Sequence, residues 1–225
     1  MQRASQAFTP QDRQRINQAV QQAERGTSAE IVPVVASVSG RYDRPEDMVG
    51  LWLALAAMVV VWFVFPTAQH EHGSWEAAWP HWKLLAMLAA TVLAFVVGAA
   101  LATYVGPLRR LFTSRAQMVD EVVTRARGVF YSQDIHHTAG QTGVLIYVSL
   151  YERMAAVLTD QVVMDKIGQA TLDELRDTLI VGLRGNDATT AVCQTIQAAG
   201  QRLAPVLPRQ ADDVNELPDA LVTLD

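Results

Sequence analysis

Apolar residues recur at every third or fourth position in several stretches of this chain and gather in short strand-like runs in others, but two longer stretches are uncharged and almost wholly apolar. MVGLWLALAAMVVVWFVF (Met48–Phe65) and LLAMLAATVLAFVVGAALATYV (Leu84–Val105) contain 18 and 22 residues without one charge. At a rise of about 1.5 Å per residue they predict helices of roughly 27 and 33 Å, the thickness of a hydrocarbon core of about 30 Å. Two transmembrane helices are therefore expected; a pair of buried helices in a soluble protein is the alternative reading. In lipid a helix satisfies its own backbone, so the β-branched run Val59–Val61 is no obstacle.

Outside that hairpin the pattern predicts an α/β domain. Thr9-Pro10-Gln11-Asp12 has the composition of a helix start, with Ile16, Ala19, Val20 and Ala23 on one face of a helix over 10–25. EIVPVVASVS (Glu30–Ser39) reads as a strand, in which Pro33 suggests an edge, a bulge or the first paired residues. Ser114 to Gln117 has capping-box spacing before a helix to about residue 131, whose face carries Met118, Val122, Ala126, Val129 and Phe130. TGVLIYVSL (Thr142–Leu150) is apolar enough for a buried central strand, and Met154–Asp160 is its hairpin partner. A short helix at 161–167 stops at Gly168. The next is capped by Thr171, and the last, capped by Asn186 or Asp187, presents Ala191, Val192, Thr195, Ile196, Ala199 and Leu203.

This predicts four segments: 1–47, the first part of the α/β domain; 48–105, the hairpin, with a loop at 66–83; 106–204, the second part of the domain; and 205–225, an acidic tail. Val214, Leu217, Leu221 and Val222 in the tail suggest that part of it packs back.

Charge orients the hairpin. Arg41, Arg44, Arg109, Arg110 and Arg115 flank its outer ends, against Lys83 alone in the loop, so the positive-inside bias places both termini in the cytoplasm of a cell with a bacterial-type inner membrane. Trp62, Trp75, Trp79, Trp82 and Tyr104 suit membrane interfaces. The whole chain has 225 residues and a formal charge of -5. Its basic residues are scattered rather than striped, which argues against nucleic acid as a partner. The lone Cys193 lies in an apolar helical pattern and reads as packing.

Candidate chemistry is sparse. No GxGxxG, GxSxG, HExxH or Walker-type pattern occurs. Asp160 at a strand end, Asp165 and Asp134 could converge as oxygen ligands for Mg²⁺ or Ca²⁺, as a metal-dependent phosphatase would need. Asp160 could equally cap the following helix, with Asp165 an exposed polar position. In the loop, His70 and His72 with Glu71, Glu76 and His81 could bind Zn²⁺ or Cu²⁺, or simply sit at a membrane interface. His136 and His137 fall in a loop where solvation is the simpler reading, and Arg153 in a turn reads as surface.

SAEIVPVVA, QTGVLIYVSLYERMAAVLTD, VVMDKIG and DDVNELPD together resemble the TPM-domain family, in its bacterial membrane form with a transmembrane hairpin inserted after the first strand. The resemblance implies an α/β/α sandwich with a small mixed sheet. It also implies that the chain is similar either to members with phosphatase activity or to members that look like assembly or chaperone-associated proteins. The hairpin itself favours a structural or protein-interaction module at the cytoplasmic face of a membrane, partnered by the lipid bilayer and by another membrane or cytoplasmic protein, with a metal-dependent phosphatase as the alternative.

Overall fold

The computed structural model describes residues 3–40, 42–65, 81–104, 113–185, 187–210 and 212–225, without the side chains of residues 43–45, 81 and 82. The chain divides into two compact units, one of residues 1–40 and 116–225, the other of residues 41–115.

In order, the elements are α1 (Ala4–Ala7), α2 (Pro10–Glu24), β1 (Glu30–Ala36), α3 (Asp43–Val64), α4 (His81–Tyr104), α5 (Arg115–Ser132), a 3₁₀ turn (Ile135–His137), β2 (Gly143–Ser149), β3 (Met154–Thr159), α6 (Gln161–Arg184), α7 (Ala188–Leu203) and β4 (Val222–Leu224). The first unit is a mixed α/β structure around a four-stranded sheet of order β3-β2-β1-β4. β1 runs parallel to β2 and to β4, and β3 pairs antiparallel with β2.

Both inner strands are buried at all seven positions because helices cover both faces. On one face α1, α2, α6 and α7 pack Ile16, Val20, Leu172, Leu179, Ile196 and Leu203 onto Ile31, Val35, Val144, Ile146 and Val148. On the other, Val122, Ala126, Val129 and Phe130 of α5 and Ile135 of the 3₁₀ turn cover Val32, Val34, Leu145 and Tyr147. Residues before and after the hairpin thus share one core, since β1 pairs with β2 along its whole length.

Local chemistry sets the helix starts. Thr9 and Asp12 form a reciprocal capping box ahead of α2, with Pro10 at the first helical position. Asp187 caps α7 by accepting from the Thr190 N–H at 2.9 Å. Asn186 lies outside the described residues.

Three expectations need correction or refinement. A fourth strand, β4, lies in the segment expected to be a tail, and Leu221 beside it is buried. Thr171 is not a cap. The break falls at Gly168, whose φ of 74° suits a residue without a Cβ, and the helix resumes at once. Thr171 therefore lies inside it, its hydroxyl donating to the Ile167 carbonyl at 2.7 Å. Pro33 sits in an inner strand, opposite Ile146, and needs no bulge there. The Glu30 N–H points to β2, donating to the Thr142 carbonyl, so by alternation Pro33 faces the other way. There β4 begins opposite Val34, one residue later, and the missing proline N–H costs no ladder bond.

In the second unit, α3 and α4 pack antiparallel on a seam of small residues. A Cβ on Gly98 would lie 2.8 Å from the Gly50 Cα, so the two backbones meet there. Ala54 and Ala102 are buried on the same seam, whereas Phe63, Leu85 and Leu93 are 79%, 64% and 66% exposed. At one end of the seam Thr103 donates to Glu46 at 3.1 Å. At the other the Lys83 ammonium lies 4.5 Å from the centre of the Trp62 ring, a cation–π contact. Two segments, Glu46–Val64 and Lys83–Tyr104, are long and apolar enough to cross a membrane. The connecting residues 66–80 and the stretch 105–112 lie outside the described residues, and with them the expectations for Trp75, Trp79, Arg109 and Arg110.

Candidate functional site

Two of the three aspartates singled out in the sequence have a local task. Asp160 occupies the N-cap position of α6 without capping it. Its carboxylate instead accepts from the Gly143 N–H at 3.2 Å, while its own N–H donates to the Gly143 carbonyl at 3.1 Å. This pair locks the end of β3 to the start of β2. Burial pushes the Asp160 carboxyl above its usual range, against the Gly143 hydrogen bond and the nearby charge of His136. Asp165 is exposed and accepts from the Gln161 amide at 2.7 Å, one turn earlier. Asp134 is exposed, with a left-handed φ of 53°, ahead of the 3₁₀ turn.

The three do not assemble as ligands: among the described residues no group of three or more His, Cys, Asp and Glu side chains is placed to hold a metal ion. The Asp160 and Asp165 carboxylates are engaged with the backbone or side chain of their own neighbourhoods. His70 and His72 lie outside the described residues, as does the side chain of His81. His136 is half-buried, its ring centre 4.9 Å from that of Tyr131 and 5.2 Å from that of His137. Cys193 is half-buried against the core, where desolvation raises its thiol pKa, consistent with packing.

A polar cavity that sequence reasoning missed lies where α2 ends and β1 begins. It has a volume of about 210 Å³ and is lined by Glu24, Arg25 and Glu30 from those elements and by Arg209, Asp213, Asn215 and Asp219 from the segment before β4. The fold creates it because β4 is short. Ile31, like Pro33, turns its backbone away from β2, and β4 does not extend as far as Ile31 on that side; the Glu24 carboxyl accepts its N–H instead, at 2.8 Å. Glu30 uses both carboxylate oxygens on the crossing segment, accepting from the N–H groups of Glu216 and Leu217 at 3.3 Å each. Arg209 pairs with Asp213 at 3.4 Å and reaches the Glu24 carbonyl.

Electrostatics here favour protons. Burial above all, then the charges of Glu30 and Asp219 and a hydrogen bond with the Asp219 carboxyl, raise Glu24 to about 8; the Ile31 bond opposes them. Glu30 is also raised, chiefly by burial, against its two backbone bonds. The cavity thus favours a proton on Glu24. Its only trace in the sequence is Glu30, a carboxylate heading an otherwise apolar strand, together with the acidic DDVNELPD segment. Neither betrays the meeting of residues some 190 positions apart.

A second polar cluster ties residues 37–40 to the β2–β3 turn. Glu152 is 1% exposed and accepts from the Ser39 N–H at 2.9 Å, the Gly40 N–H at 3.3 Å and the Ser149 hydroxyl. The Tyr147 hydroxyl lies 2.9 Å from the Ser39 hydroxyl, and burial raises its pKa. Arg153, in the same turn, is exposed with a φ of 53°.

Comparison with known proteins gives a fold and no more. No protein-family model matches the chain, and no curated protein matches it. Its structure is similar to the NMR structure of the BA42 protein from the psychrophilic bacterium Bizionia argentinensis, with a TM-score of 0.55 and 18% identity, covering 96% of this chain and 94% of that one.

Proposed function

We propose that the chain is a membrane-tethered module that docks another membrane or cytoplasmic protein, its α/β unit held at the cytoplasmic face of a bacterial-type inner membrane by two spans. The observation that carries this reading is the inverted surface of the hairpin. Only 22% of the first candidate span and 6% of the second is buried, and the large side chains are the exposed ones. Water would not tolerate such a surface, and lipid is the solvent that suits it. The likeness of the domain's segments to the TPM-domain family, and the flanking arginines, support the module and its orientation.

The test uses single cysteines in a Cys193→Ala background. Cysteine at Arg44 or Arg115 should be protected from an impermeant thiol reagent on intact cells, and cysteine at Ser74 labelled. The reverse pattern would overturn the orientation, and release of the protein by carbonate would overturn the spans. The docking half fails if protein extracted under conditions that preserve membrane assemblies migrates at the mass of its own chain.

A further inference from the structure

We propose that residues 212–221 form a strap over the end of α2 and the start of β1, held closed by a proton on Glu24 inside the cavity it covers and opening as the surroundings turn alkaline. The strap has few apolar attachments. Val214 is 71% exposed, and only Leu217 and Leu221 reach the core. Its other attachments are polar: Glu30 grips the N–H groups of Glu216 and Leu217, the Glu216 carboxylate accepts from the Ala139 N–H at 2.9 Å, and Asn17 accepts from the Leu221 N–H at 3.2 Å. Beyond it the chain is fastened separately, by β4 and by Asp225, which accepts from Ser5 and Ser37. The strap is thus a loop pinned at both ends over the cavity and held across it mainly by polar contacts.

The charges around the cavity decide when it opens. Glu24 faces Arg25 on its own helix, Glu30 on β1, and Arg209, Asp213 and Asp219 on the crossing segment, while Glu216 lies against Glu30. Five carboxyl groups meet two guanidinium groups, one of them occupied by Asp213. With the proton in place, Glu24 donates to Asp219; without it, two carboxylates repel across the strap's attachment. Closed, Glu24 keeps its proton to about pH 8; an open, solvated Glu24 would release it near the ordinary 4.5. Closure is fully favoured below the lower value, and that advantage is lost as pH rises through the upper one. The window brackets neutrality. Opening would uncover Ile31 on the β4 side of β1 and turn the cavity's carboxylates to solvent.

Hydrogen exchange on the full chain in detergent micelles with EDTA, corrected for the intrinsic pH dependence of exchange, tests this. Protection of the Glu216 and Leu217 amides should fall by at least roughly tenfold between pH 5 and pH 8 and then level off. Glu24→Gln can still accept from Ile31 and donate to Asp219, and should remove most of that slope. Asp219→Asn removes the second carboxylate but neither the burial of Glu24 nor the charge of Glu30, and should lessen the slope without abolishing it. The Leu145 and Tyr147 amides in β2 report whether each variant is folded. An equal slope in wild type and both folded variants, or no slope in the wild type, would overturn the proposal.

Discussion

The two units place their large apolar side chains on opposite sides, inward in the first and outward in the second. In α6 and α7 the large buried positions are Val163, Leu172, Leu175, Leu179, Val192, Ile196 and Leu203, with the smaller Thr189, Ala191, Thr195, Ala199 and Gly200 buried between them. In α3 and α4 the buried positions include Gly50, Ala54, Gly98 and Ala102, and the exposed ones Trp52, Phe63, Leu85 and Leu93. A helix packing in water gains by hiding its large apolar side chains, which produces a stripe of period 3.6. For a helix in lipid the large side chains are already solvated, so packing gains come from close backbone approach between small residues. Periodicity thus reports what surrounds a helix as well as what it touches.

The largest expected effect tests the shared core of the first unit. Val34 is fully buried in β1 between Tyr147 on β2 and Val222 on β4, opposite α5. Val34→Asp places a carboxylate there without a partner. It should destabilise the whole α/β unit by at least about 3 kcal/mol in denaturant unfolding, including residues 116–204 far from it in sequence. Unchanged protease resistance of 116–204 would mean that the segments on either side of the hairpin fold separately.

The converse substitution probes the hairpin. Gly98→Leu puts a branched side chain where the Gly50 backbone sits, and should weaken α3–α4 packing by about 1–3 kcal/mol in an SDS titration. Leu93→Ala, on the exposed face, should change it by less than about 0.5 kcal/mol. A larger loss at Leu93 than at Gly98 would reverse the assignment of seam and surface.

What the sequence made legible follows from the range of the interactions involved. The faces of α5 and α7, the cap at Asp187, the break at Gly168 and the extent of β2 are set by neighbours within a few residues, and pattern reading finds them. β4 escaped because three residues after Pro218 carry too little alternation, and only pairing with β1 makes them a strand. Thr171 misled because its spacing to Glu174 imitates a capping box, whereas Gly168 had already fixed the break. The aspartate trio was expected to meet at one end of the sheet, from the end of β3, the helix after it and the loop before β2. The cavity instead joins Glu24 and Glu30 to Asp213 and Asp219, a meeting that depends on where the C-terminal segment crosses β1.

The smallest expected effect concerns the far anchor of that segment. Asp225 accepts from the Ser5 N–H at 3.1 Å, the Ser5 hydroxyl at 2.5 Å and the Ser37 hydroxyl at 2.9 Å. The Ser5 side-chain bond first, then the Ser5 backbone and Ser37 bonds, lower its carboxyl to about 2. Because the folded pKa lies below the ordinary 3.8, the contribution to stability is present above about pH 4 and is lost as pH falls through about 2. The group is fully exposed, so water and salt screen much of this, and the effect belongs to the acid limb of the stability curve alone. Asp225→Asn should flatten that limb between pH 2 and pH 4 while leaving the strap's slope between pH 5 and pH 8 untouched. If the variant instead altered exchange at Glu216 and Leu217 across the upper window, anchor and strap would be one cooperative element, and the independence of the C-terminal fastening from the Glu24–Asp219 pair would be lost.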